Sequence, residues 1–347
     1  MRELTYCEAI NEAIDQEMAR DESIIIFGIG VPDHKKIFGS TVNLLEKYGP
    51  SRCFDTPLAE EAMTGFALGA ALQGLKPIHV HIRVDFLLLA MNQLVNMISS
   101  YNYTTGSHFK TPILIRAIIG RGWGQGSQHS KSLHSYFAHI PGLKVILPTT
   151  ASDAKGMITS AIRDDSPVVC LEHRWLYWAT DKVLEETYET PIGIAKVLRE
   201  GSDITIVGTS WMNIEALRAA EILFKHRGVK AEVVDVRSLY PLDADSIARS
   251  VAKTGFCIIA DNDWTSYGAG GEIAALTYEK CFDYLKKPIR RVGFAHAPCP
   301  TVRCLENEFY PNAETIIREC ESILDLEPIS LSNELFYSHE RRFKGPF

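Results

Sequence analysis

The chain has no apolar run that could cross a membrane. Those it has are short, such as residues 86–91, against the roughly 20 residues a spanning helix needs. Its first residues, 1–8, carry acids and lack the apolar centre of a signal peptide. Eight cysteines are scattered without a CxxC pair, and no two Cys/His pairs have zinc-ligand spacing. His79 and His81 alternate on one segment, but no second pair answers them. Most of the cysteines sit among apolar neighbours, as the reduced core thiols of a cytoplasmic protein would. Cationic excess is absent too: the net charge of -7 speaks against a nucleic-acid surface. The run Gly122-Trp123-Gly124-Gln125-Gly126 has no Lys-Ser/Thr ending, so it is no phosphate loop. Internal repeats and low-complexity stretches are also missing. The expectation is a globular protein that meets neither membrane nor nucleic acid.

What is present is ordinary in bulk and specific in order. Hydrophobic residues make up 46% and charged residues 23%, and 347 residues suffice for two domains with real cores. Short apolar runs predict buried strands at residues 23–28, 76–82, 112–119, 143–148 and 167–171. Helical periodicity covers 5–19, 60–72, 86–100 and 151–163, the last capped by Ser152 or Asp153. Strands alternating with helices predict an α/β fold with an open, mostly parallel sheet. A polar, acidic stretch after Thr180 reads as a linker. A second α/β unit follows, with strands at 203–208, 230–236 and 256–260 and helices at 211–227, 243–254 and 270–287. The expected division is a first domain over 1–180, a linker over 181–195, a smaller second domain over 196–325 and a tail over 326–347.

Residues 55–72 are the most informative segment. Asp55, Thr56 and Pro57 are turn and helix-start residues. Glu60 and Glu61 open a helix that is otherwise uncharged, rich in Ala and Gly, and expected to be packed on all sides. A carboxylate at the mouth of such a helix is poorly solvated, which favours its protonated, hydrogen-bond-donating form. Acids also suit the positive end of a helix dipole. This segment alone leaves both readings open.

The order of several motifs carries a resemblance. Asp55-Thr56-Pro57-Leu58-Ala59-Glu60, Gln128-His129-Ser130, Pro141-Gly142-Leu143-Lys144-Val145, Asp153-Ala154-Lys155-Gly156, Ser160-Ala161-Ile162-Arg163-Asp164 and Arg237-Ser238-Leu239-Tyr240-Pro241-Leu242-Asp243 follow one another at matching spacing. The chain resembles, over residues 4–320, the beta subunit of the thiamine-diphosphate-dependent decarboxylating component of 2-oxo acid dehydrogenase complexes. That subunit corresponds to the pyrimidine-binding and C-terminal domains of transketolase.

The resemblance implies roles for matched positions. Glu60 falls on the glutamate that shares a proton with a ring nitrogen of the aminopyrimidine and so promotes deprotonation of the thiazolium carbon; Glu61 is then structural. Phe86 matches the aromatic on which the aminopyrimidine stacks. Ile82 and Ile29 are further pocket candidates, although the family is usually acidic at the position of Ile29. His129 falls in the Gln-His-Ser motif, where a group titrating near neutral pH can protonate an intermediate or assist transfer. His134 and His139 are lesser candidates. Trp123 and Trp175 depart from the family and could shape an acceptor pocket. Backbone carbonyls of Ile113, Ala161 and Asp164 align with a potassium site in some relatives.

The resemblance also exposes a gap. The family anchors the diphosphate and Mg²⁺ on a Gly-Asp-Gly motif, and no Gly-Asp-Gly occurs here. Asp261-Asn262-Asp263 lies in the C-terminal domain, where relatives carry acids without metal. An alpha subunit is therefore expected to supply that half of the site, in an α2β2 assembly, with a lipoyl acyltransferase as a further partner. The alternatives are a split transketolase or acyloin synthase, which passes a two-carbon unit to a sugar or aldehyde, and a non-catalytic scaffold.

Overall fold

The computed structural model describes residues 1–33, 35–120, 124–334 and 336. Two compact units divide the chain. The first holds Met1–Gly120 and Lys131–Ile192; the second holds residues 124–130 and those from Gly193 onward.

The first unit contains strands β1 (Arg2–Thr5), β2 (Ile24–Phe27), β3 (Cys53–Phe54), β4 (Lys76–His81), β5 (Leu114–Ile119), β6 (Lys144–Ile146), β7 (Val168–His173) and β8 (Thr180–Val183). Its helices are α1 (Tyr6–Arg20), α2 (Leu44–Tyr48), α3 (Glu60–Leu72), α4 (Val84–Leu87), α5 (Ser99–Thr104), α6 (His134–Ala138) and α7 (Ala151–Arg163). The central sheet runs β6-β7-β5-β4-β2-β3, with every neighbouring pair parallel. Helices on both faces of such a sheet leave no wet side, so β2 and β5 are buried at every position. One charge pair lies inside it. Arg116 of β5 and Glu172 of β7 meet at 2.6 Å, with side chains 1% and 0% exposed. Ser40 Oγ accepts from the same guanidinium, and the Tyr177 hydroxyl donates to Glu172.

Local chemistry sets the helix ends. Thr5 caps α1: its hydroxyl accepts from Glu8 N while Glu8 accepts from Thr5 N at 2.8 Å, a capping box. Thr150, rather than Ser152 or Asp153, caps α7, accepting from Asp153 N at 3.1 Å. The helix expected over 86–100 is broken: α4, a tight turn at Leu88–Ala90, a wider π-type stretch at Gln93–Ile98 and α5 follow one another. Helix α3 is not packed on all sides. Glu61, Ala62, Phe66 and Gly69 are exposed along one stripe, so its low charge is not a sign of full burial. The start of the expected linker is a strand, β8, antiparallel to β1. Its polar surface residues gave no apolar period to read.

The second unit contains β9 (Lys196–Arg199), β10 (Ile204–Gly208), β11 (Ala231–Asp235), β12 (Ser238–Tyr240), β13 (Cys257–Trp264) and β14 (Arg290–Phe294). Its helices are α8 (Met212–Arg227), α9 (Ala244–Thr254), α10 (Ala269–Cys281), α11 (Arg303–Phe309) and α12 (Ala313–Ile323). The sheet order is β14-β13-β10-β11-β9, parallel except for β9. Its core joins Ile204, Ile206, Val233 and Ile258 to Ala216 and Ala220 of α8 and Ile316 of α12. The acids at 261–263 have a structural use. Asp261 accepts from Thr209 Oγ1 at 2.8 Å and from Gly270 N at 2.7 Å, near the start of α10. All eight cysteines are free, and Cys304 is exposed while the others are buried. Among the described residues, no helix is long and apolar enough to cross a membrane.

Candidate active site

The predicted cofactor residues come together at the carboxyl ends of β2 and β4. Ligands of open α/β sheets gather at such ends. A pocket there is lined by Ile29, Glu60, Ile82 and Phe86, together with Thr56, Pro57, Met63, His79, Val80 and His81. Its cavity volume is only about 20 Å³, far below that of a complete ligand site, so these residues form one wall of a site rather than an enclosed pocket.

Each wall has a local cause. Gly28 sits at φ +152, and a Cβ there would stand 2.2 Å from Val80 O, so only glycine lets this loop lie against β4. Ile29 follows directly. Asp55 Oδ1 then accepts from Gly30 N at 3.0 Å and from Thr56 N at 2.8 Å. Thus Asp55 fastens the Ile29 loop to the entry of α3. Glu60 opens α3, half-buried, with Thr64 one turn along and fully buried. Phe86 lies on α4, half-buried, just after Ile82.

Sequence reasoning set His79 and His81 aside as an unanswered metal pair. The structure makes them pocket wall. Both rings lie on one face of β4, are 2% and 5% exposed, and touch at 3.3 Å through His81 Nε2 and His79 Nδ1. Thr64 Oγ1 lies 3.4 Å from the same His79 nitrogen. Burial pushes the His81 pKa down to about 3; burial and then the neighbouring His81 push His79 well below its usual value. Both are neutral imidazoles at physiological pH. The available signal was their i, i+2 spacing on a buried strand opposite the helix that carries Glu60.

The other expected residues lie elsewhere. His129 belongs to the second unit, half-buried just after a turn at Gly126–Gln128. That turn is tight because a Cβ on Gly126 would meet Thr301 Oγ1 at 2.6 Å. Ser130 O, next along, accepts from the Tyr310 hydroxyl at 2.9 Å. His134 is buried at the start of α6, and His139 is exposed just after that helix. Trp175 is buried, with its amide donating to His173 Nδ1 at 3.2 Å. Trp123 and the first part of its glycine run lie outside the described residues. Of the potassium candidates, Ile113 O already accepts from Val168 N at 2.9 Å, which leaves one lone pair. The Asp164 carboxylate holds Lys144 and Ser166 N.

The donor set fits the pyrimidine end of thiamine diphosphate. It offers one carboxyl group, an aromatic face, branched aliphatic walls and two neutral imidazoles. It does not fit the diphosphate end, because no lysine or arginine lines the pocket. No cluster of His, Cys, Asp and Glu among the described residues could hold a metal ion.

Both units match known protein families. Residues 2–178 match the transketolase pyrimidine-binding domain, and residues 193–316 match the transketolase C-terminal domain. The pyruvate dehydrogenase E1 component subunit beta-2, mitochondrial, of Oryza sativa subsp. japonica is 39% identical over 91% of this chain and 85% of its own length. The chain belongs to the family of pyruvate dehydrogenase E1 beta subunits. Within this beta-subunit family, the mitochondrial protein of Dictyostelium discoideum is 38% identical over 93% of this chain and 91% of its own length. The Rickettsia felis protein is 37% identical over 92% and 98%. A solved structure, titled a split gene transketolase, inactive beta4 tetramer, shares the fold with a TM-score of 0.75 at 23% identity, covering 94% of this chain and 99% of that one. The family makes this chain a subunit of a thiamine-diphosphate-dependent, transketolase-like enzyme.

Proposed function

We propose that this chain holds the pyrimidine end of thiamine diphosphate in an enzyme that decarboxylates a 2-oxo acid and passes the acyl unit on. The observation that carries the reading is the gathering of Glu60, Phe86, Ile82 and Ile29 around one pocket. Bound thiamine diphosphate supplies the electron sink for decarboxylation. The chain supplies position and proton control. A Glu60 carboxyl oxygen holds the proton shared with the ring, at a helix start where the charged form is also tolerated. Phe86 offers a stacking face, and Ile29, Ile82 and Met63 keep water off the ring.

The absence of cations from the pocket lining supports a partner for the diphosphate and Mg²⁺. Exposed apolar side chains on α3 and in the turn after α4 fit the same reading: Phe66 is 45% exposed and Leu89 is 61% exposed. We assign that partner as an alpha subunit with a Gly-Asp-Gly motif, in an α2β2 assembly, feeding a lipoyl acyltransferase. His129 serves the later transfer step in this scheme. Carbonyls of Ile113, Ala161 and Asp164 are the candidate potassium ligands, and the cytoplasm is the proposed compartment.

Calorimetric titration of thiamine diphosphate with Mg²⁺ tests the split site. Tight binding is expected only when the chain is co-purified with its partner subunit. Tight binding to the chain alone would refute the shared site. With the assembly in hand, release of CO₂ from 2-oxo acids is expected; turnover of ketoses instead would reassign the donor.

A further inference from the structure

Phe54, Phe27 and His79 form a stacked column, with centroids 5.2 Å and then 4.8 Å apart, and the His81 ring lies beside His79 at 4.2 Å, tilted by 54°. His79 Nδ1 faces two groups at once, His81 Nε2 at 3.3 Å and Thr64 Oγ1 at 3.4 Å. The other nitrogen of each ring has no hydrogen-bond partner among the described residues.

Tautomer logic then fixes what the pair presents. When His81 Nε2–H donates to His79 Nδ1, His81 Nδ1 is an acceptor and His79 Nε2–H is a donor. When His79 Nδ1–H donates instead, both outer roles exchange. In either state the neutral pair offers one donor and one acceptor. An aminopyrimidine, with an exocyclic amine and ring nitrogens, presents the complementary set.

We propose that Thr64, His79 and His81 form a neutral hydrogen-bond relay that contacts the polar edge of the ring held against Glu60. Both histidines are ligand-contacting residues of this chain, and Thr64 is a positioning residue acting through His79. The proposal rests on the functional reading above. Buried polar groups that pair with a ligand discriminate strongly, because a ligand lacking the match leaves them unsatisfied.

The test is calorimetry with thiamine diphosphate and Mg²⁺ on the chain co-purified with its partner subunit, with melting temperatures recorded. Wild type is compared with His79→Phe, His81→Phe and His81→Gln, whose amide keeps a donor and an acceptor. The Phe variants are expected to bind about tenfold more weakly, the weight of one neutral hydrogen bond. Their melting temperatures should hold or rise, and His81→Gln should recover most of the affinity. If both Phe variants bind like wild type, the histidines are core and the proposal is overturned. Equal weakening in His81→Phe and His81→Gln would overturn it too, since that reports shape rather than hydrogen bonding. His79→Leu or His81→Leu replaces the Phe variant at the same position where that variant does not fold. Failure of the wild-type assembly to bind would bring down the functional reading and the relay together. Wild-type binding with unaffected variants sinks the relay alone.

Discussion

Asp55 Oδ1 accepts the amide of Gly30 at 3.0 Å, tying the loop that bears Ile29 to the turn before α3. The tie spans the pocket from one sequence segment to another. Hydrogen bonds to a charged acceptor contribute roughly 1.5–3 kcal/mol. Asp55→Ala is therefore expected to weaken thiamine diphosphate binding about tenfold or more and to lower the melting temperature by only a few degrees, since Asp55 is exposed. Calorimetry beside a thermal melt checks this; unchanged affinity would show that the loop needs no such tie.

Glu60→Gln separates chemistry from binding. The amide keeps the shape and polarity of the side chain but cannot hold and return the proton. Turnover of the assembled enzyme should fall by roughly 100-fold or more, the usual weight of general acid–base catalysis. Cofactor affinity should change only a few-fold. Near-normal turnover would remove Glu60 from the mechanism.

His129→Ala should reduce turnover more than cofactor affinity, because His129 does not line the ring pocket. Steady-state rates and a titration on the same preparation decide this. An equal loss in both would place His129 in cofactor binding.

The buried histidines predict a pH dependence of stability. His81 titrates at about 3 in the folded chain and near 6.5 when unfolded, and His79 is lowered as well. The unfolded chain thus binds more protons between these values. Stability contributed by the neutral pair is present above about pH 6.5 and lost as pH falls toward 3, by up to about 1.4 kcal/mol per pH unit per group. Denaturant melts across pH 7 to 4.5 should show that loss, and a His79→Phe/His81→Phe double variant should show a shallower slope. An identical slope would mean that the pair titrates normally.

Glu172→Gln leaves Arg116 as an uncompensated buried charge. Breaking such a pair costs roughly 3–5 kcal/mol, so the first unit should melt well below wild type. Arg116→Met combined with Glu172→Leu should recover much of the loss, since an apolar pair has no charge to desolvate. A Glu172→Gln variant as stable as wild type would contradict the burial seen here.

The two α/β units, the parallel first sheet and the helix opened by Glu60 were all legible in the residues. Their signals are local: apolar runs of strand length, helical periods and turn residues between them. The motif order was legible too, which is why Glu60, Phe86, Ile82 and Ile29 could be named before any geometry. Tertiary structure decided the rest. The exposed stripe on α3 and the β1–β8 pair depend on what packs beside them, which no local pattern records. The use of Asp261 near α10, of Asp55 on the Ile29 loop, and of His79 and His81 as pocket wall also required distant segments to meet. A side chain's type is written in the chain, but its partner, and so its protonation and its task, is set by residues that folding brings within reach.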